Sequence, residues 1–133
     1  MRSKGVLVFM LGCFLAISCS QQKEPTQEEL AGKAAKEYYD RLLVNDYEAF
    51  LSGKADVDSL PQDYRIQLQT AVQQYKQELE QMHEGVASVT VSNVRFDDTQ
   101  QLMHVFLLLH FKDSIKEEII VPMVQRNEGW KMR

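Results

Sequence analysis

The chain of 133 residues is long enough for one compact domain, and its 15 basic and 19 acidic residues give a net charge of −4. It contains no run of basic residues, so a surface for nucleic acid or anionic lipid is not expected. Both cysteines, Cys13 and Cys19, lie near the N-terminus. The rest of the chain therefore has no disulfide and depends on a hydrophobic core for its stability.

The first 18 residues have the pattern of a secretory signal. Arg2 and Lys4 precede an apolar run that leads through Ser18 into Cys19. This order resembles the signal of bacterial lipoproteins, which predicts that residues 1–18 are a lipoprotein signal peptide and that Cys19 becomes the fatty-acylated first residue. Ala16 departs from the leucine usual at its position, while Ser18 is a tolerated substitute.

Other interpretations of the N-terminus remain open at this point. The stretch from Gly5 to Ser18 has 14 residues, fewer than the roughly 17–25 that a membrane-spanning helix needs. A plain secretory signal cut after Ser18 is an alternative, and Cys13 is a rival acylation site. Cys19 is preferred because acylation at Cys13 would shorten the apolar run to about eight residues.

A lipidated Cys19 implies anchoring in the bacterial cell envelope. Two or three acyl chains bind a membrane firmly, because each buried methylene contributes about 0.8 kcal/mol. Ser20 is not the aspartate typical of retention at the inner membrane, so the outer membrane is favoured. Residues 19–25 are then the lipidated cysteine and a polar tether, and the face of the membrane is left open.

Three helices are predicted after the tether. Thr26 and Glu29 have the spacing of a capping box, which begins a first helix that runs to about Val44. Asp46 caps a short second helix. After a polar loop, Pro61 begins a longer third helix that ends at Gly85. Its apolar stripe, which predicts a buried face, comprises Tyr64, Leu68, Val72, Tyr75, Leu79 and Met82.

Four strands are predicted next: 86–96, 102–111, 115–125 and 130–133. A slip in the alternation near Ser92 and Asn93 suggests a bulge in the first strand, and Pro122 marks a bulge or an unpaired position in the third. Both faces of the second strand are largely apolar, so it is expected to be a central strand covered on part of both sides. Helices followed by a meander of about four strands define one α+β domain over residues 26–133.

Two short segments carry a family resemblance. The corner Asn45–Phe50 (NDYEAF) and the closing turn Asn127–Lys131 (NEGWK) resemble the nuclear-transport-factor-2-like superfamily. In particular, the chain is similar to small bacterial lipoproteins of unknown function with this cone-shaped, cystatin-like fold. The resemblance implies N-terminal helices packed on a curved antiparallel sheet. The superfamily includes isomerases, cyclases and non-enzymatic binding modules, so the fold does not decide the function.

An isomerase-type pocket would need a carboxylate base and proton donors on the walls of the cone. Glu117 lies in phase with an apolar strand face, and Tyr38 or Tyr39 offers a donor from the first helix. Glu117 also lies close to a turn between Lys116 and Glu118, where a solvated strand end is the simpler interpretation.

The remaining candidates have structural interpretations too. His104 and His110 lie about 20 Å apart along one strand and cannot share a metal ion. His104 is more simply a strand histidine, and Trp130 is expected to close the open end of the sheet against the first helix. The sequence has no zinc-type spacing, serine elbow or phosphate loop, so neither a metal nor a cofactor is predicted. Tyr64, Tyr75 and Phe106 are expected in the core.

The preferred hypothesis is therefore a membrane-anchored envelope lipoprotein whose domain binds a small-molecule ligand or a protein partner without catalysis. One alternative is a small-molecule isomerase, cyclase or hydratase that uses the cone cavity. Another is an assembly subunit that forms a homodimer through its sheet. The chemistry of the ligand is not readable from the sequence.

Overall fold

The computed structural model describes residues 23–133, so the predicted signal peptide and Cys19 lie outside the described residues. Three α-helices precede four strands, as predicted. In chain order the elements are α1 (Gln27–Leu43), α2 (Tyr47–Ser52), a 3-10 turn (Val57–Ser59), α3 (Gln62–Gln81), β1 (Val86–Asp97), β2 (Leu102–Phe111), β3 (Lys116–Arg126) and β4 (Gly129–Met132). Within this part of the chain, every helix is too short or too polar to cross a membrane.

Local hydrogen bonds fix the starts of the first two helices. The backbone N–H of Glu29 donates to the Thr26 hydroxyl (3.1 Å), and that of Thr26 donates to the Glu29 carboxylate (2.9 Å). This is the predicted capping box, and it satisfies two backbone donors that the helix leaves unpaired. The Asp46 carboxylate likewise accepts from the backbone N–H of Ala49 at the start of α2.

The four strands form one antiparallel sheet in sequence order. The register between β1 and β2 shifts between Val91 and Asn93, which confirms the predicted bulge. Of the two alternatives predicted for Pro122, the bulge is wrong, because β2 and β3 stay in register through His104 opposite Pro122. The unpaired position agrees with the structure, because Pro122 lies one residue beyond the last β3–β4 pair, Met123 with Met132, and its carbonyl accepts from the N–H of Arg133 (2.9 Å).

The core lies between α1 and the inner face of the sheet. Small residues on α1, Ala31 and Ala35, are fully buried, and Gly32 lies so close to β1 that an added Cβ would be 3.1 Å from Val94. The inner face of β2 contributes Met103, Val105, Leu107, Leu109 and Phe111, all nearly inaccessible to solvent. Together with Leu42 and Met123, these side chains fill the cone interior, the space between α1 and the sheet.

The structure corrects three predictions about burial. Tyr64 is not in the core, because 45% of it is exposed on the first half of α3. Phe106 is only half-buried, on the outer face of β2, beneath the guanidinium of Arg95 at 5.1 Å. In the described part of the chain no helix covers this outer face, so β2 is covered by an element on one side only.

The third helix ends at Gln81, and a turn with positive φ angles from His83 to Gly85 leads into β1.

Candidate functional site

The candidate site lies at one end of the cone, where the start of α1 meets the β1–β2 and β3–β4 turns. We call this end the cone mouth and define it by Gln27, Phe96, Met103, Gln125 and Trp130. Two open cavities occur here, of about 590 Å³ and about 400 Å³. Both volumes are in the range of small-molecule sites.

Trp130 closes the gap between β4 and α1. Its indole Nε1–H donates to the side-chain oxygen of Gln27 (3.1 Å). The amide of Gln125, on the neighbouring strand β3, donates to the same oxygen (3.3 Å). Gln27, Gln125 and Trp130 line both cavities, so this hydrogen-bonded group is the wall that the cavities share.

The two cavities differ in their other walls. The larger one has an apolar floor formed by Phe96, Met103 and Val124. The smaller one lies along α1 and is bounded by Leu30 and Tyr38. Charged side chains line both cavities as well: Glu28 and Arg126 in the larger one, and Lys33, Glu37 and Glu128 in the smaller one. An apolar floor with a few polar groups around it is the usual composition of a site that binds a ligand and orients it.

Tyr38 stabilises the cone mouth through a contact with the backbone of Trp130. Its hydroxyl donates to the backbone carbonyl of Trp130 (2.9 Å), and its ring lies directly against the Cα of Gly53. The ammonium of Lys131 lies 5.9 Å from the centre of the same ring. The Tyr38 hydroxyl is thus already engaged with the backbone, and its role in the described structure is to join α1 to β4.

Tyr39 lies away from the cone mouth, in the core. Its ring makes an edge-to-face contact with Phe50, with 5.2 Å between ring centres. Burial, and to a lesser degree the neighbouring Tyr75, raises the pKa of the Tyr39 phenol far above its ordinary value. Burial also raises the pKa of Tyr75. Both groups therefore stay protonated at neutral pH.

Glu117 lies at the opposite end of the sheet from the cone mouth. Its carboxylate is 3.6 Å from Nε2 of His83, whose Nδ1 lies 3.0 Å from Asp113 in the β2–β3 turn. His104 lies on the outer face of β2, opposite Arg95 of β1. Of the five predicted pocket residues, the structure brings together only Tyr38 and Trp130.

Several residues with polar contacts were not singled out from the sequence. Gln27 and Gln125 are separated by most of the chain, and nothing in their local pattern distinguishes them from surface glutamines. Lys76 is only 5% exposed, and its ammonium donates to Asn45 (2.9 Å) and to Glu80 (2.7 Å). The sequence signal for its burial is its position between Tyr75 and Leu79, two residues of the apolar stripe of α3.

The described part of the chain offers few side-chain groups for metal binding or for nucleophilic chemistry. Within residues 23–133 no group of three or more His, Cys, Asp or Glu side chains could hold a metal ion. Two hydroxyl groups lie beside a potential base: the Thr90 hydroxyl beside Nε2 of His110 (2.7 Å), and the Ser92 hydroxyl beside the carboxylate of Glu118 (2.9 Å). Neither pair is part of the lining of either cavity at the cone mouth.

Comparison with known proteins finds a solved structure with a similar fold. No protein-family model matches the chain, and no curated protein sequence matches it. A crystal structure from Campylobacter jejuni, described as an NTF2-like transpeptidase, is similar to this chain with a TM-score of 0.59 and 12% sequence identity. The match covers 75% of this chain and 94% of that one.

The protein therefore has an NTF2-like fold, in which helices precede a curved four-stranded antiparallel sheet. This confirms the fold class predicted from the sequence. At 12% identity the likeness concerns the fold alone.

Proposed function

We propose that this protein is an envelope lipoprotein, anchored through Cys19, whose NTF2-like domain is a non-enzymatic binding module with its ligand site at the cone mouth. The observation that carries the proposal is the contrast between the two parts of the cone. The interior is filled by side chains such as Leu42, Leu107 and Met123, each fully buried. The cone mouth instead holds two open cavities on either side of Trp130.

The filled interior argues against catalysis in the cone cavity. A general base must come within hydrogen-bond distance of the substrate atom whose proton it takes. The phased carboxylate, Glu117, lies at the end of the sheet away from the cone mouth, beside His83. The tyrosine pair of Tyr39 and Tyr75 lies within the packed core, where there is no room for a substrate.

The position of the cone mouth fits a tethered protein. Cys19 to Pro25 is seven residues, which span at most about 25 Å when fully extended. The chain then enters α1 at Gln27, whose side chain belongs to the wall between the two cavities. An anchor on Cys19 would therefore hold the cone mouth close to the membrane.

The anchor is tested with a Cys19→Ser variant expressed in a bacterium that acylates lipoproteins. The unaltered chain should incorporate radiolabelled palmitate and sediment with membranes, and the variant should do neither. A Cys13→Ser variant is the matched control and should behave like the unaltered chain. Palmitate incorporation by Cys19→Ser would contradict the anchor.

The ligand site is tested by native mass spectrometry of the protein released from detergent after purification from its own host. A bound small molecule should be seen with the unaltered protein and lost with Trp130→Ala. Phe106→Ala, which removes an aromatic side chain from the outer face of the sheet, should keep it. Equal retention by Trp130→Ala would place the ligand elsewhere and overturn the assignment to the cone mouth.

The structural neighbour is named a transpeptidase, so acyl transfer is one alternative activity. Such a reaction needs a nucleophile beside a base. The chain has no cysteine after Cys19, and the Thr90–His110 contact lies away from the cone mouth. An activity that survives Trp130→Ala but is lost in Thr90→Val would favour this alternative, whereas the binding module predicts that Thr90→Val has no effect on ligand retention.

A homodimer through the sheet is the second alternative, and the outer face gives it a specific basis. Phe106, Leu108 and Ile120 form an apolar centre there, and Ile120 is 56% exposed. Arg95 and Glu118 lie to either side of this centre, an arrangement typical of protein interfaces. A dimer in the native mass spectrum that disappears in Ile120→Glu would support it, and a monomer at high protein concentration would exclude it.

A further inference from the structure

The third helix is packed at one end only. Towards its C-terminus Lys76 and Leu79 are buried, and Tyr75 reaches the core. Over residues 62–71 every position except Leu68 is exposed. The neighbour of α3 along this half is α2, which has six residues. Three turns of helix packed on so short a partner leave much of their apolar surface in water, where an isolated helix of this length is only marginally stable.

A groove runs between α2 and this half of α3. We call it the α2–α3 groove; it has a volume of about 370 Å³ and an apolar floor made by Leu51, Val57, Ile66 and Leu68. Ile66 is 57% exposed, although its side chain is fully apolar. The groove belongs to neither cavity at the cone mouth, and it does not include the outer face of the sheet.

The charges around the groove are distributed unevenly. The lining includes two acidic residues, Glu48 and Asp58, and one basic residue, Arg65, and none of the three has an ion pair within residues 23–133. From Ile66 to Tyr75 the helix has no charged residue, although 26% of the chain is charged. Depletion of charge at an apolar centre beside a charged rim is the composition of a protein interface.

We propose that the α2–α3 groove binds an amphipathic helix of a partner protein, with apolar side chains over Ile66 and lysine or arginine residues facing Glu48 and Asp58. The occupant is a helix because α2, the 3-10 turn and α3 form the groove and no strand edge lines it, so side chains must carry the binding. A basic partner is favoured because the two carboxylates of the lining outnumber the single guanidinium of Arg65. This site depends neither on Cys19 nor on the cone mouth.

The probe is a synthetic 14-residue helical peptide of leucine and lysine, compared with the same peptide carrying glutamate in place of lysine. Binding is followed by calorimetry and by amide chemical shifts of the segment 20–133, after circular dichroism has shown that this segment folds. If it does not fold, the full chain in nanodiscs of zwitterionic lipid takes its place. The lysine peptide should bind and shift resonances of residues 48–52 and 62–69, and the glutamate peptide should not bind.

Variants separate the groove from the rest of the surface. Ile66→Glu should weaken binding by at least about tenfold, as expected for a central apolar contact. Tyr64→Glu, on the same helix but outside the groove lining, should leave the affinity within about twofold. Glu48→Gln combined with Asp58→Asn should weaken binding several-fold, whereas Glu78→Gln should not.

Three results would overturn the proposal: no binding of the lysine peptide at millimolar concentration, equal binding of both peptides, or equal effects of Ile66→Glu and Tyr64→Glu. Trp130→Ala serves to distinguish this proposal from the proposed function. It should abolish ligand retention at the cone mouth and leave peptide binding unchanged, so either idea can fail alone.

Discussion

Gly53 is the position where one added methyl group tests the packing beneath the cone mouth. A Cβ at Gly53 would lie 2.5 Å from Cδ1 and 2.6 Å from Cε1 of Tyr38. Ordinary van der Waals contact needs about 3.5 Å, so the ring would have to retreat by about 1 Å. The φ angle of Gly53 is −80°, which any residue can adopt, so the effect of Gly53→Ala is purely steric.

The magnitude follows from two losses and one gain. Overpacking of this kind costs about 1–3 kcal/mol, and displacement of the ring weakens the 2.9 Å bond from the Tyr38 hydroxyl to Trp130, which contributes about 1 kcal/mol. Replacement of glycine by alanine restricts the unfolded chain and offsets about 0.4–1 kcal/mol. We expect Gly53→Ala to lower the free energy of unfolding by about 1.5–3 kcal/mol.

A double-mutant cycle isolates the contact. With the ring removed in Tyr38→Ala, Gly53→Ala should be neutral or stabilising by up to about 1 kcal/mol, a coupling of about 1.5–4 kcal/mol. In Tyr38→Phe the clash remains, so Gly53→Ala should still destabilise. Urea unfolding is followed through Trp130, the single tryptophan of the chain, and by circular dichroism. Additive effects of Gly53→Ala and Tyr38→Ala would refute the described packing.

Three further predictions concern charge and packing. The Lys76 ammonium lowers the pKa of Glu80 below its ordinary value of 4.5. The unaltered chain should therefore be more stable than Glu80→Gln above pH 4.5, and this difference should vanish as the pH falls through the lowered pKa. Urea unfolding measured at a series of acidic pH values checks this. Burial raises the pKa of Tyr39, so this group contributes stability below its ordinary value of 10.0 that is lost as pH rises. In urea titrations Tyr39→Phe should therefore lose less stability than the unaltered chain above pH 10. Leu107→Ala, at a fully buried site, should lower the free energy of unfolding by about 2–5 kcal/mol, and a loss below about 1 kcal/mol would contradict the packed interior.

Local chemistry made most of the secondary structure predictable. The start of α1 was predictable from Thr26 and Glu29, because a capping box needs only four consecutive residues. The strand β2 was predictable from its alternating side chains, because successive residues of a strand point to opposite faces of the sheet. The bulge after Val91 was visible for the same reason, as a slip in that alternation. Pro122 left two alternatives open because a missing N–H matters only on the side that meets a neighbouring strand, and only the tertiary structure shows that the β3–β4 pairing stops at Met123.

The sequence by itself determined the helices, the strands and their order, and with them the NTF2-like fold. It also predicts a signal peptide of the lipoprotein kind and an anchor at Cys19. Only the tertiary structure decided which end of the cone is open and which residues meet there. Gln27 and Trp130 are 103 positions apart, and their hydrogen bond exists because α1 crosses the whole sheet. The same packing leaves the first half of α3 uncovered, because an apolar stripe is fixed by helical period but its burial depends on whatever lies opposite.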